Sequence, residues 1–403
     1  MVRWLIFIAI FFLVDFYAFQ SVKTLSKNKY LQIAYWLISL AVMAFFIYRI
    51  NNRRSGSGLD AMLMLSFGLI VLLYVPKLVT AVGMLVEDVY RIGKWAFSSV
   101  STSEEQAFFP DRRAFVSKIG IGLAALPFAS ILYGMVKGKY NYQVIRHTLY
   151  FDDLPEAFNG FQLTHLSDIH SGSFDNADKI AYGIDLINEQ ESDVILFTGD
   201  IVNNKADEME PWIPYFEKLK AKDGKFAVLG NHDYGEYVRW ETSEEKENNF
   251  NAIKNIHPRI GFNLLLNDSI YLERGDEKIA LIGVENWGRR FKQAGDLTKA
   301  SDKVNDKDFK ILLSHDPTHW EDEVKDHPKN YHLTLSGHTH GMQFGIEIPG
   351  VRWSPVQYVY KYWAGVYKEV NRYINVNRGF GFLAFPGRVG IWPEITVITL
   401  KKR

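Results

Sequence analysis

The sequence predicts an α/β domain preceded by an all-α transmembrane domain of about four helices. Long apolar runs are confined to the segment before Lys139. After Lys139, strand-like runs alternate with helical stretches and with turns rich in Gly, Asn and Asp. Polar residues that can bind metals recur directly after several of the apolar strands. We therefore divide the chain into a membrane domain, 1–139, and a globular domain, 140–403.

Charge and cysteine content exclude several classes of protein. The chain of 403 residues carries 46 basic and 46 acidic side chains, so it lacks the global positive field of a general nucleic-acid binder. It contains 0 cysteines, which excludes a disulfide scaffold, a zinc-thiolate site and an iron–sulfur cluster. A metal ion would have to bind His, Asp, Glu or Asn side chains.

The membrane domain is predicted from four apolar runs, at 4–20, 31–48, 61–86 and 119–136. As helices, such runs span about 30 Å of hydrocarbon. A signal peptide followed by buried core helices is the alternative, but a signal peptide explains only the first run. Asp15 interrupts that run, which indicates either a polar contact within the membrane or snorkelling near the end of the span. Snorkelling is the simpler expectation.

The orientation of the membrane domain rests on positive charge near the span ends. Eight Lys and Arg residues lie on the side of the loops after the first and third spans, and six lie on the other side. Arg112 and Arg113, before the fourth run, resemble an internal twin-arginine export signal, although an ordinary positive flank explains them equally well. Both observations favour a globular domain on the exterior of a bacterial cytoplasmic membrane.

In the soluble part, metal-capable residues follow the ends of predicted strands. Strands are predicted at 161–166, 193–197, 225–229, 278–284, 310–313 and 331–335, with helices at 177–188 and 211–219. Open α/β sheets bind ligands beyond the carboxyl ends of their strands. The motifs found there, in order, are Asp-x-His at 168–170, Gly-Asp at 199–200, Gly-Asn-His-Asp at 230–233, His315, and Gly-His-Thr-His at 337–340.

This ordered set of motifs resembles the calcineurin-like metallophosphoesterase family over about residues 143–399. The ending at 393–400 is also similar to a membrane-attached bacterial branch that includes UDP-2,3-diacylglucosamine pyrophosphatases and related lipid phosphoesterases. The resemblance implies a four-layer αββα sandwich for the catalytic domain. It also implies two divalent metal ions per chain, with Mn²⁺, Fe²⁺ or Zn²⁺ suited to nitrogen and oxygen ligands.

The resemblance assigns the metal ligands by position in the motifs. The first ion is expected on Asp168, His170 and His340, the second on Asn231, His315 and His338, and Asp200 is expected to bridge them. A carboxylate suits the bridge because its two oxygens can bind two cations. The ions would polarise the phosphoryl oxygens and acidify a water, giving hydroxide for attack on phosphorus.

Other residues are expected to act on the substrate. The resemblance makes His232 the group near the leaving oxygen, with Asp233 as its expected orienting partner. Arg378 and Arg388 are predicted to bind phosphate or diphosphate. The aromatic segment 353–367 suits a membrane interface or an acyl-chain groove, although ordinary packing explains it equally well.

The expected function is a membrane-bound hydrolase of a phosphoester or pyrophosphate bond, acting on a lipid or lipid-linked substrate. A membrane tether raises the effective concentration of an amphiphilic substrate and does little for a diffusing nucleotide. A general phosphodiesterase anchored to the membrane is one alternative, and a non-catalytic membrane scaffold or sensor is another. The expected partners are the bilayer and the lipid substrate, with no nucleic acid and no obligate protein partner.

Overall fold

The structure, a computed structural model, describes residues 2–52, 58–98 and 110–403. Its first four helices are α1 (Val2–Leu25), α2 (Lys29–Asn51), α3 (Ala61–Ser98) and α4 (Pro110–Val136). Each of them is long and apolar enough to cross a membrane, which confirms the four predicted spans. These helices form one compact unit, except for the terminal residues Ala61 and Val136. The second unit contains Val136–Arg403 and, of the residues described between α2 and α3, those at 58–61. Arg53 and Arg54, which entered the charge comparison, lie outside the described residues.

Asp15 is paired inside the helical unit, so the expectation that it snorkels is wrong. Its Oδ1 lies 2.6 Å from Nζ of Lys77, and its Oδ2 accepts a hydrogen bond of 2.7 Å from the hydroxyl of Tyr74. Lys77 also donates to Oγ of Ser39, at 2.5 Å. An unpaired charge in hydrocarbon is costly, so the ion pair between Asp15 of α1 and Lys77 of α3 stabilises both charged groups.

The arginine pair before the fourth apolar run belongs to α4 and contacts α3. Arg113 Nη1 lies 2.9 Å from Oδ1 of Asp88 and 3.3 Å from Oε2 of Glu87. The guanidinium of Arg112 lies over the ring of Tyr90, 3.8 Å from its centroid. These contacts give both arginines a role in packing one helix against the other.

The globular unit is an α/β domain with two large sheets. Its helices are α5 (Ala177–Asn188), α6 (Ile213–Phe216), α7 (Ser243–Arg259), α8 (Leu297–Ala300) and α9 (Pro317–His319). Its strands are β1 (Gln143–Phe151), β2 (Gln162–Leu166), β3 (Val194–Phe197), β4 (Lys225–Ala227), β5 (Asn263–Leu264), β6 (Asp268–Arg274), β7 (Glu277–Gly283), β8 (Lys310–Leu313), β9 (Leu333–Ser336), β10 (Ile346–Ile348), β11 (Val351–Trp353), β12 (Gly365–Glu369), β13 (Arg372–Val376) and β14 (Glu394–Lys402).

The two large sheets have six strands each and are mixed. One has the order β1-β14-β2-β3-β4-β5, with β14 antiparallel to β2 and the other pairs parallel. The other has the order β12-β13-β9-β8-β7-β6, antiparallel only at its two outer pairs. The strands β10 and β11 form a separate antiparallel hairpin.

Alternating side chains build the layers, because successive residues of a strand face opposite sides of its sheet. In β3, Val194 and Leu196 belong to the core between the two sheets, whereas Ile195 and Phe197 pack with α5, α6 and α7. In the other sheet, Leu312 packs on the outer side with α8. The result is a four-layer αββα sandwich, as the sequence resemblance implied.

The predicted elements differ from the observed ones chiefly at their ends. All six predicted strands occur within two residues of their expected bounds, and α5 has the bounds 177–188 that the sequence predicted. The helix expected at 211–219 is instead a 3₁₀ segment that ends at Trp212 followed by the short α6. Pro211 and Pro214 explain the difference, because proline lacks the N–H that an α-helix interior needs.

The two sheets place the metal-capable residues at one edge. The strands β2, β3 and β4 run parallel, as do β8 and β9, so their carboxyl ends lie at one edge of each sheet. The residues that follow these ends are Asp168, Asp200, Asn231, His315 and His338. The fold therefore collects side chains that are up to 170 residues apart in sequence.

Candidate metal centre

The first group of ligand atoms comes from the turn after β2 and from the turn after β9. Nε2 of His340 lies 3.3 Å from Oδ1 of Asp168, and Nε2 of His170 lies 4.0 Å from the same oxygen. One ligand atom from each of these three residues lies within 4.8 Å of the others, and all three side chains are buried. This spacing allows the three atoms to surround a single cation.

The second group forms beside it, from β4, β8 and β9. Oδ1 of Asn231 lies 2.8 Å from Nδ1 of His338 and 3.1 Å from Nε2 of His315. The ligand atoms of Asp200, His315 and His338 also lie within 4.8 Å of one another. The structure thus brings together all seven residues that the sequence resemblance assigned to the two ions.

Asp200 stands between the two groups. Its Oδ2 lies 3.5 Å from Nε2 of His170 in the first group and 3.2 Å from Nε2 of His315 in the second. Its Oδ1 accepts a hydrogen bond of 2.8 Å from the backbone N–H of His232. A single carboxylate therefore reaches both groups of ligand atoms.

The donor set fits divalent cations. Among the residues that the structure describes, no hydrogen-bond partner reaches either ring nitrogen of His170 or Nε2 of His340. Burying polar atoms without partners is unfavourable, and a bound cation would remove that penalty. Imidazole nitrogens with carboxylate and amide oxygens suit Mn²⁺, Fe²⁺ and Zn²⁺ better than they suit Ca²⁺.

The electrostatics of the site favour an ionised carboxylate at its centre. Burial by itself would raise the pKa of Asp200, but positive charge on His315 and His232 lowers this pKa well below its ordinary value overall. Burial disfavours the charged form of His315, yet the adjacent Asp200 raises its pKa to about 10. A cation would displace that proton, because histidine binds metals through a neutral nitrogen.

The backbone at the site adopts a conformation that is rare outside glycine. Five of the seven residues have positive φ: Asp168 51°, His170 47°, Asp200 60°, His338 71° and His340 49°. Such residues cost about 1–3 kcal/mol each and cluster at functional sites. Gly230 lies beside these residues, and only glycine fits there because a Cβ would lie 2.7 Å from Cγ of Asp200. The close packing of these turns aims the side chains at a common point.

Comparison with known proteins supports the same interpretation. Residues 161–342 match the family described as calcineurin-like phosphoesterase. Residues 2–139 match the family described as probable calcineurin-like phosphoesterase, transmembrane domain. An uncharacterized metallophosphoesterase of Bacillus subtilis, YkuE, is 33% identical over 262 residues, which are 64% of this chain and 85% of that protein. The chain belongs to the calcineurin-like metallophosphoesterase family.

Two further relatives match a larger share of this chain than YkuE does. An uncharacterized metallophosphoesterase of Helicobacter pylori is 27% identical over 98% of this chain and 97% of its own length. A transmembrane protein with metallophosphoesterase domain from Danio rerio is 26% identical over 77% of this chain and 68% of its own length. None of these three relatives is named for a lipid substrate, so the substrate class stays a prediction.

In this metallophosphoesterase, His232 is oriented by a backbone carbonyl. Its Nδ1 lies 2.7 Å from the carbonyl oxygen of Asn203, which can only accept a hydrogen bond. The Asp233 carboxylate instead accepts backbone N–H bonds of 2.8–2.9 Å from Gly230, Asp200 and Ile201. The expected pairing of Asp233 with His232 is therefore corrected. Asp233 shapes the turn that carries Asp200.

Arg378 is engaged inside the domain and does not face an open site. It is 3% exposed, its Nη1 binds the carboxylate of Glu394, and its Nη2 lies 2.5 Å from Oε1 of Glu347. A buried guanidinium needs partners of this kind, because its desolvation is otherwise costly. Because Arg378 is buried and paired with two carboxylates, the phosphate-binding role that the sequence predicted for it is corrected.

Arg388 is also enclosed, and it borders the first ligand group. It donates hydrogen bonds of 2.6–3.1 Å to the carbonyl oxygens of Arg378, Gly379 and Gly381. Its Nη2 lies 3.2 Å from Nδ1 of His340. The Arg388 side chain therefore stabilises the backbone next to His340. This corrects the prediction that Arg388 binds phosphate directly.

Sequence reasoning missed three side chains that contact the candidate ligands. The hydroxyl of Tyr360 lies 2.8 Å from Nε2 of His338, and Asp316 Oδ2 lies 3.6 Å from the same nitrogen. Tyr237 binds Asn231 through its hydroxyl, at 2.7 Å. Two of the three had a weak signal in sequence, because Asp316 directly follows the strand-terminal His315 and Tyr360 lies in the aromatic segment 353–367.

Proposed function

We propose that this protein is a membrane-bound hydrolase of phosphoester or pyrophosphate bonds that uses two divalent cations. The observation that supports it most is the Asp200 carboxylate, which lies within 3.5 Å of ligand nitrogens from both groups. The proposal places one cation on Asp168, His170 and His340. The other binds Asn231, His315 and His338. When bound, such a pair of ions polarises phosphoryl oxygens and lowers the pKa of water.

The side chains of the site then have separate tasks. Asp200 supplies the negative charge shared between the ions and, through its Oδ1, holds the backbone N–H of His232. His232 keeps a proton on Nδ1, because the Asn203 carbonyl accepts it. The proton transferred to the leaving oxygen is therefore the second one, carried on Nε2 of the imidazolium form, and its transfer leaves a neutral ring with its proton on Nδ1. General acid catalysis of this kind contributes roughly 10²- to 10⁴-fold to a rate.

The substrate in this proposal carries its phosphate on a lipid or a lipid-linked precursor. Four spanning helices precede the catalytic domain, and the first strand of that domain, β1, begins at Gln143, seven residues after the last helix ends at Val136. So short a connection tethers the catalytic domain to the membrane-spanning helices. Localisation of this kind raises the effective concentration of an amphiphile far more than that of a soluble ester.

The proposal also assigns the metals and the side of the membrane. Mn²⁺ is the expected activator, with Fe²⁺ and Zn²⁺ as the other ions suited to the donor set. The catalytic domain is proposed to face the exterior, because positive residues near span ends favour the cytoplasmic side and the loops opposite the catalytic domain carry eight of them against six. An exterior site would favour exposed phospholipids or lipid-linked wall intermediates.

Purified full-length protein in nanodiscs provides the test of this function. Metal content is measured with and without a chelator, and turnover is followed with a chromogenic phosphodiester and with a panel of phospholipids and lipid-linked pyrophosphates. We expect two ions per chain, activity that returns on adding Mn²⁺, and preferred release of phosphate or headgroup from one lipid class. Two bound ions with no turnover of any ester would indicate a scaffold or sensor instead.

A further inference from the structure

The hairpin β10–β11 carries its apolar side chains outward. Paired residues of antiparallel strands share a face, as do residues two apart along a strand. With Ile346 paired to Trp353 and Ile348 paired to Val351, these four side chains lie on one face. Ile346, Ile348 and Val351 are 50%, 58% and 49% exposed. A water-exposed hairpin would ordinarily turn such a face toward the protein interior.

The opposite face of the hairpin is polar and is fixed to the domain. Glu347 pairs with the buried Arg378, at 2.5 Å, and Arg352 donates from Nη1 to the carbonyl oxygen of Ala364, at 2.8 Å. Glu347 and Arg352 are themselves the third cross-strand pair. Glu347 and Arg352 are exposed as well, and turning the hairpin over to bury its apolar face would break both of these contacts.

Neighbouring residues extend the apolar face. Tyr358 and Val359, in the segment that follows β11, are also exposed. The indole Nε1 of Trp353 lies 3.4 Å from the hydroxyl of Tyr358. Trp and Tyr side chains are enriched where hydrocarbon meets lipid headgroups, because they combine an apolar body with a polar end. We call this surface, formed by Ile346, Ile348, Val351, Trp353, Tyr358 and Val359, the hairpin face.

The hairpin face adjoins the candidate metal centre. β10 begins six residues after His340, and the segment after β11 leads to Tyr360, whose hydroxyl lies 2.8 Å from Nε2 of His338. The hydroxyl of Ser354, directly after β11, donates to the carbonyl oxygen of Gly341. The hairpin is therefore joined on both sides to residues that contact the turn carrying His338 and His340.

The start of the globular unit lies at the same end as the hairpin. Gly138 is two residues beyond the end of the last apolar helix, and a Cβ there would approach the ring of Trp392 to 2.6 Å. The segment 388–392 also contacts the base of the hairpin, where the N–H of Gly345 donates to the carbonyl of Val389 at 2.9 Å. The first residues of the globular unit therefore lie close to the segment that contacts the base of the hairpin.

We propose that the hairpin face docks into the lipid bilayer at the boundary between headgroups and acyl chains. Its apolar and interfacial composition, its exposure and the presence of four membrane-spanning helices in the same chain all fit a lipid surface. Presentation of a lipid phosphate to the metal centre follows from this docking and rests on the proposed function. The docking itself does not depend on catalysis.

Depth measurements on full-length protein in nanodiscs test the docking. The chain has 0 cysteines, so Ile348→Cys provides one site for an environment-sensitive fluorophore. Val370→Cys is the matched control, because Val370 is 88% exposed at the turn between β12 and β13. We expect nitroxide-labelled lipids to quench the label at 348 and aqueous iodide to quench the label at 370. A label at 348 that iodide quenches, or that neither agent reaches, would overturn the proposal; the second result would indicate a protein contact.

A kinetic comparison tests the consequence for catalysis. Replacing Ile348 and Val351 by Ser should raise KM for a phosphoester carried in vesicles by roughly tenfold or more, since each buried aliphatic side chain contributes about that factor. Turnover of a soluble chromogenic ester should not change, and Val370→Ser should alter neither reaction. Equal loss with both substrates would contradict the role in lipid presentation. Lipid-quenched label at 348 in a protein without turnover would contradict only the proposed hydrolysis.

Discussion

The side-chain amide of Asn231 donates from Nδ2 to the hydroxyl oxygen of Tyr237, over 2.7 Å. This bond turns Oδ1 of Asn231 toward His315 and His338, as a metal ligand requires. The ring of Tyr237 also packs against the ring of His232, with centroids 4.3 Å apart and planes tilted by 32°. One partly exposed tyrosine therefore contacts both a proposed ligand and the proposed proton donor.

Tyr237→Phe should weaken the second cation more than the first. Without the hydroxyl, the amide of Asn231 loses the partner that sets its orientation, and loss of such an outer partner costs about 10- to 100-fold in metal affinity. Metal titration of the purified protein measures both affinities. Tyr182→Phe, on the exposed side of α5, is the control and should bind both ions normally. Unchanged affinity for both ions in Tyr237→Phe would contradict the positioning role.

Asp200→Asn should weaken both cations and abolish most of the activity. The substitution removes the negative charge that both ligand groups share, so its effect should exceed the roughly 10- to 100-fold cost of losing an outer partner. Elemental analysis of metal per chain and turnover of a chromogenic phosphodiester measure the two effects. The exposed Asp302→Asn should behave as the unchanged protein. Two ions and normal turnover in Asp200→Asn would sink the dinuclear assignment.

His232→Ala should keep its metal and lose roughly 10²- to 10⁴-fold in kcat, the usual scale for a positioned acid or base. Esters with poor leaving groups should lose the most, because they depend most on a proton at the leaving oxygen. Rates for a series of aryl phosphodiesters, with metal content measured in parallel, separate this role from binding. Loss of metal with an equal rate decrease for every ester would make His232 a ligand.

Asp15 and Lys77 should show strong coupling in the stability of the membrane domain. Asp15→Asn or Lys77→Gln leaves the other charge buried without its partner at 2.6 Å, which costs about 3–5 kcal/mol in buried pairs. The double variant removes both charges and should cost less than the sum of the singles. Thermal unfolding in detergent, followed by tryptophan fluorescence, gives the midpoints. Additive decreases would show that the two groups act independently.

The C-terminus should lie outside the cytoplasm. Four spans place both termini on the same side of the membrane, and the larger positive charge lies on the opposite loops. Fused at the C-terminus, alkaline phosphatase should be active and a cytoplasmic fluorescent protein should remain dark. A bright fluorescent fusion with an inactive phosphatase fusion would reverse the orientation and would favour nucleotide-linked lipid precursors as substrates.

Local sequence determined the four apolar helices and the strand ends that carry the metal-capable residues. Helix α5 has its predicted bounds because its hydrophobic periodicity is regular, and strand β8 has its predicted bounds because a short apolar run ends there at the polar residues Ser314 and His315. Strand β1 was not predicted, because it is an edge strand whose exposed and half-buried positions weaken the alternation. The ligand motifs could be recognised because each is contiguous.

Only the tertiary structure decided which groups His232, Arg378 and Asp15 contact. Asn203 orients His232 through a backbone carbonyl, and any residue type at position 203 would supply that oxygen, so the side-chain sequence holds no sign of it. Arg378 lies in the interior because Glu347 and Glu394, 31 and 16 residues away, pair with it there. Asp15 meets Lys77 across 62 residues for the same reason. Such pairings depend on the packing of whole helices and sheets, whose contact energies are summed over many residues and are absent from any local pattern.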